Sequence, residues 1–138
     1  MARQGLPMPT ENKFFAAGVT LRAARANRAY VAGPMTGIAD FNYPAFNDVA
    51  DHLRAQGFEV ENPADHGIVE GAQWADYMAY DLTRLGLCGV IALLPDWEKS
   101  QGARLEVLIA ERLGMTVVNA PELVTRENAA VPTFSKLM

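Results

Sequence analysis

Between Ala29 and Val118, four short apolar runs alternate with three stretches of helical periodicity, and few folds accept that pattern. Tyr30-Val31-Ala32 is apolar and stops at Gly33-Pro34, as a buried strand followed by a forced turn does. Phe46, Val49, Ala50 and Leu53 then repeat at helical spacing, with Asn42 as cap, Pro44 in the first turn and Gly57 as the stop. Phe58-Glu59-Val60-Glu61 alternates like a strand and breaks at Asn62-Pro63. Trp74, Tyr77, Met78, Leu82 and Leu85 mark a second helix, closed by Gly86 or Gly89. The run from Gly89 to Leu94 is apolar throughout and suits a central strand buried on both faces. Ser100 to Leu113 predicts a third helix, stopped by Gly114, and Met115 to Val118 a fourth strand. The order is βαβαβαβ, which makes a parallel sheet with right-handed crossovers and helices on both faces.

A chain of 138 residues holds one domain and buries enough surface to need neither a metal nor a disulfide staple. Residues 29–119 read as that domain, residues 1–28 as an arm or short helix, and residues 120–138 as a tail. Twelve Lys and Arg against sixteen Asp and Glu leave a net charge of −4, which speaks against a nucleic-acid polymer as the main partner. Cys88 is the one cysteine, so no internal disulfide forms and a reducing compartment fits. Neither a membrane span nor a signal peptide is apparent, so a cytoplasmic location is expected. His52 and His66 with a lone cysteine do not make a metal site, and no cofactor is implied.

In such a sheet, ligands sit beyond the carboxyl ends of the strands where strand order reverses. The order 2-1-3-4 puts that point between the first and third strands. Two loops face it: Gly33 to Asn42, with Pro34, Met35, Asp40 and Phe41, and Pro95 to Ser100, with Asp96 and Trp97. Glu106 has Gly102, Ala103, Ile109 and Ala110 as helical neighbours, so no cation on its own helix reaches it. It projects from the apolar stripe, either into the crevice or toward a distant arginine. Asp81 falls inside the stripe that starts at Trp74, and either pairs with Arg84 or faces the crevice. Two inward carboxylates with unequal burial can divide the roles of nucleophile and proton donor around a glycosidic bond.

Ser100 and Gly102 open the third helix, where free N–H groups and the helix dipole favour an anion, although Ser100 serves equally as a plain cap. Gly33-Pro34 permits close approach of a ligand or simply makes a tight turn. Phe41 and Trp97 are placed to sandwich a planar base, or to cover the edge of the core. Asp76 and Tyr80 read as solvated, Tyr30 as core packing, and His66 as an exposed loop histidine.

Three segments carry a family resemblance: Tyr30-Val31-Ala32-Gly33-Pro34-Met35-Thr36-Gly37, the inward Asp81, and Ser100-Gln101-Gly102-Ala103-Arg104-Leu105-Glu106 with Ala110. Together they resemble the nucleoside 2-deoxyribosyltransferase-like superfamily over residues 29–119. The chain is most similar to an uncharacterised branch, common in phages and bacteria, in which Ala-Gly-Pro-Met-Thr-Gly is followed by Asp40-Phe41-Asn42-Tyr43-Pro44-Ala45-Phe46. The resemblance implies a flavodoxin-like three-layer fold with four or five parallel strands in the order 2-1-3-4. It also implies cleavage or transfer at the N-glycosidic bond of a nucleoside or nucleotide. On that likeness Glu106 matches the carboxylate nucleophile, Asp81 the aspartate that assists the departing base, and Tyr30 the tyrosine that orients the nucleophile. Ser100 stands where nucleotide hydrolases place a phosphate-binding serine, which favours a 5′-monophosphate. Gly33, Pro34, Met35, Asp40, Phe41, Asn42, Asp96, Trp97, Ser100 and Gly102 are the substrate-binding candidates, with no metal and no cofactor. Superfamily members form dimers or larger rings, so a homodimer or larger homo-oligomer is implied. Leu108 replaces a frequent glycine and Arg104 a small residue; both are expected to narrow the pocket. The alternative is therefore a protein that binds a nucleotide, to sense or sequester it, without turnover.

Overall fold

The computed structural model describes residues 21–122. Most of the expected N-terminal arm and C-terminal tail lie outside the described residues. In chain order the regular elements are α1 (Leu21–Arg25), β1 (Arg28–Ala32), α2 (Tyr43–Ala55), β2 (Glu59–Glu61), α3 (Trp74–Leu85), β3 (Val90–Leu93), α4 (Gln101–Arg112) and β4 (Thr116–Asn119). The four strands form one parallel sheet in the order β2-β1-β3-β4. This is the flavodoxin-like arrangement, with Tyr30 of β1 in register with Ile91 of β3 and Glu61 of β2.

Side chains alternate across a strand, so the two apolar central strands feed two separate cores. Ala29, Val31 and Ala92 point to one face, where Phe46, Val49, Ala50 and Leu53 of α2 cover them. Tyr30, Ala32, Ile91 and Leu93 point to the other, against Leu85 of α3 and Val107 and Ala110 of α4. Strand β4 lies at the sheet edge, and Thr116, Val117 and Asn119 are exposed. Among the described residues, no helix is long and apolar enough to cross a membrane.

Local chemistry explains where the elements begin. Ser100 Oγ accepts the amide hydrogen of Ala103 at 3.1 Å and starts α4 one residue later than the periodicity predicts. Gln73 and Asp76 form a reciprocal capping box at the start of α3. Asn42 does not cap α2 with its side chain; its backbone turns left-handed and its amide donates to the Pro34 carbonyl at 2.9 Å. Trp74, expected within the apolar stripe of α3, is 48% exposed, because it lines an open cavity instead of packing into the core.

Gly89 joins α3 to β3 at a point where the link between α1 and β1 passes close by. A Cβ there would sit 2.5 Å from the Arg25 carbonyl oxygen, and the Arg25 guanidinium donates to the Cys88 carbonyl at 3.2 Å. Gly89→Ala is expected to lower the unfolding free energy by about 1–3 kcal/mol through overpacking, read from the urea midpoint. An unchanged midpoint would show that this close approach does not constrain the fold.

Candidate active site

The carboxyl ends of β1 and β3 open on a cavity of about 740 Å³. That volume falls in the usual range of small-molecule sites, roughly 300–1,000 Å³. Two acidic side chains line it, Asp81 from α3 and Glu106 from α4, and both are buried.

Glu106 sits in the second turn of α4 and is 5% exposed. The Tyr30 hydroxyl, rising from the central strand, donates to its Oε2. Among the described residues, no arginine or lysine pairs with it. Burial pushes its carboxyl up to about 8; the Tyr30 hydrogen bond opposes this and the Asp81 charge adds to it. Burial, and then the Glu106 charge, hold Tyr30 well above the usual tyrosine value, so it stays a donor. Tyr30 is thus both core packing and a partner of the carboxylate.

Asp81 is equally buried, but its partner is not the arginine three residues on. Arg84 instead forks onto Glu61, donating from Nε and Nη2 at 2.9 Å each. The Asp81 carboxyl faces His66, whose Nε2 lies 3.3 Å from Oδ1. His66 is therefore not the exposed loop histidine expected from its position: its side chain is 16% exposed. The reason is local. Asn62 caps a 3-10 turn at Pro63–His66, accepting from the Ala64 amide at 3.1 Å, and the turn tucks the imidazole against the Tyr77 ring at 5.2 Å. Asp81 lies above the usual carboxylate value because of burial, partly offset by His66.

The loop after β1 carries a conformation that costs energy. Asp40, Phe41 and Asn42 have φ of 54°, 51° and 61°, three consecutive left-handed residues without a glycine. Each costs roughly 1–2 kcal/mol. The Asn42–Pro34 hydrogen bond braces the bend, which turns the Phe41 ring toward the cavity, 5.8 Å from Tyr43. Asp40 and Asn42 themselves do not line the cavity. Gly33 lines it, yet its own constraint is packing: a Cβ would meet the Leu94 side chain at 2.6 Å. Pro34 and Met35 line the same wall.

Ser100 and Gly102 line the opposite wall, with Lys99 beside them. A Cβ on Gly102 would approach the Met78 sulfur at 3.3 Å and the Trp74 indole nitrogen at 3.7 Å, so glycine lets α4 close against α3 here. The second expected loop divides differently. Asp96 is exposed and does not itself line the cavity, but it pairs at 3.5 Å with Lys99, which does. Trp97 folds back onto the core around Tyr30 and Ile91, where its apolar area is better buried, so it does not sandwich a ligand with Phe41. Trp74 and Tyr77 provide aromatic surface on that side instead.

Arg104 and Leu108 are exposed, and neither lines the cavity. Both stand two residues from Glu106, about 200° away around a helix, so they cannot narrow the pocket it faces. Among the described residues, no group of three or more His, Cys, Asp or Glu could hold a metal ion.

Fold and cavity together define a flavodoxin-like α/β protein with two buried carboxyls at the switch point of its sheet. Residues 27–119 match the family described as a domain of unknown function (DUF4406), and the chain belongs to that family. No curated protein matches it.

The burial of Glu106 has a thermodynamic signature. Unfolded, its carboxyl ionises near the ordinary value of 4.5; folded, it holds its proton to about 8. Below 4.5 both states are protonated and the group costs nothing; between the two values each pH unit destabilises the fold by up to about 1.4 kcal/mol. Glu106→Gln keeps an acceptor for Tyr30 and removes the ionisation. Its melting temperature is expected to exceed that of the wild type at pH 8 and to match it near pH 4. A difference between the two proteins that does not change with pH would contradict this.

Proposed function

We propose that the protein cleaves the N-glycosidic bond of a nucleoside or nucleoside 5′-monophosphate, with water or a second base resolving a covalent glycosyl intermediate. The observation that carries this reading is the pair of buried carboxyls from adjacent helices lining one cavity, each with a different partner. It agrees with the resemblance of the Tyr30–Gly37 and Ser100–Glu106 segments to the nucleoside 2-deoxyribosyltransferase-like superfamily.

As the base departs, positive charge builds on the sugar ring. A carboxylate about 3 Å from the anomeric carbon stabilises that charge and then bonds to it. Glu106 fits this role: Tyr30 holds Oε2, which leaves Oε1 for the sugar. The departing base needs a proton, and Asp81, held above the usual carboxylate value by burial, fits the donor. Because Glu106 must be ionised to attack, activity should rise as pH approaches the value of about 8 at which it titrates.

The aromatic rings of Phe41, Tyr43, Trp74 and Tyr77 suit a planar base. Ser100, Gly102 and Lys99 suit a phosphate. Ser100 lies six residues before Glu106, about 9 Å along the axis at helical rise, a span that a sugar with a 5′-phosphate can bridge. The alternative of binding without turnover rested on Arg104 and Leu108, which face away from the cavity. The reading brings with it a small-molecule partner, a homodimer or larger homo-oligomer and a cytoplasmic location.

Incubation with ribo- and deoxyribonucleosides and their 5′-monophosphates is expected to release free base. Glu106→Ala should lower the rate by a factor on the order of 10³ or more. No release from any member of the panel, or equal release by Glu106→Ala, would overturn the proposal. Adding an acceptor base separates transfer from hydrolysis.

A further inference from the structure

His66 Nε2 is buried and has no hydrogen bond of good geometry among the described residues. Asp81 Oδ1 lies 3.3 Å away, within ion-pair distance but off the hydrogen-bond line. The other ring nitrogen indicates the tautomer. Nδ1 is 2.7 Å from the Gly67 carbonyl oxygen, which can only accept, so Nδ1 carries a hydrogen. Nε2 thus meets a carboxyl oxygen with either a lone pair or a proton. Two lone pairs at that distance repel, so one proton belongs to the pair, on oxygen in one arrangement and on nitrogen in the other.

A second cavity of about 130 Å³ lies behind this contact. His66 and Asp81 line both cavities and so form part of the wall between them. The smaller one holds about four waters at liquid density. Asp65 and Tyr80 on its rim are exposed, so it reaches solvent. The remaining charged and titratable groups around His66 are engaged elsewhere. Glu61 is tied to Arg28 and Arg84, Asp65 pairs with Arg54 at 3.5 Å, and Tyr30 bonds to Glu106. Tyr77 and Tyr80 present ring contacts at 5.2 and 6.0 Å. Asp81 is left as the carboxyl that His66 answers to.

We propose that Asp81 and His66 share one transferable proton, which His66 stores and Asp81 delivers to the departing base. This rests on the N-glycosidic reading above and deepens its acid step. When the bond from the anomeric carbon to the base breaks, its electron pair goes to the base nitrogen, which takes the proton from Asp81. A Glu106 oxygen forms the new bond to the anomeric carbon. Asp81 draws its proton from His66 Nε2, leaving a neutral imidazole with its hydrogen on Nδ1. In hydrolysis, water then attacks the anomeric carbon, the bond to Glu106 breaks with its pair returning to the carboxylate, and the proton lost by water restores the pair. His66 touches no reacting atom; it is a positioning residue that acts through Asp81.

The test compares His66→Gln with wild type on two leaving groups. An ordinary purine nucleoside needs a proton to depart; an N7-methylated purine nucleoside releases a neutral base without one. Loss on the order of 10²-fold is expected for the first and less than about threefold for the second. Equal losses on both substrates would overturn the proposal, since glutamine keeps a donor toward Asp81 but cannot surrender a proton. If wild type cleaves neither, the functional reading fails, and proton sharing is decided separately by NMR. The chain has only His52 and His66, so His52→Gln assigns the imidazole signals. Asp81→Asn is expected to move the His66 Nε2 signal at one fixed pH between the protonated and unprotonated ranges, and an unmoved signal would refute the shared proton.

Discussion

The hydrogen bond from Tyr30 to Glu106 ties β1 to α4, and the site depends on it. Tyr30 lies on the face of β1 that packs against α3 and α4, so its ring is core while its hydroxyl reaches the cavity floor. Without that donor a carboxyl as buried as Glu106 would stand without its side-chain partner, a costly state. One side chain therefore closes the core and prepares the acid. The same apolar packing that gives the sheet its stability raises the Glu106 carboxyl.

The two carboxyls are made unlike by what faces them as well as by burial. Glu106 meets a neutral phenol and the apolar stripe of α4; Asp81 meets an imidazole that can itself carry charge. Both are nearly inaccessible. A phenol that stays protonated can only donate, whereas an imidazole can exchange a proton, so the two acids differ in kind.

The parallel sheet and its order were legible because β1 and β3 are apolar on both faces, the pattern of strands covered by helices on either side. Glu106 was legible because its helical neighbours are small or apolar. The inward direction of Asp81 was legible too, but not its partner, since helical spacing reveals only contacts within one helix and His66 comes from a turn 15 residues earlier. The signal available for His66 was Asn62-Pro63: a cap followed by proline at the end of a strand fixes a tight turn at the same rim where ligands sit. The position of Trp97 is not legible in the sequence, because a short 3-10 turn, invisible to periodicity, folds it onto the core. Arg104 and Leu108, expected to narrow the pocket, stand opposite Glu106 by helical geometry alone.

The left-handed bend at Asp40 to Asn42 has an entropic meaning. Its conformational cost is met during folding, and the Asn42 amide locks it to the Pro34 carbonyl. A wall shaped in advance loses little entropy when something docks against it. The brace leaves this stretch few alternative conformations, so the Phe41 ring faces the cavity as part of a fixed wall.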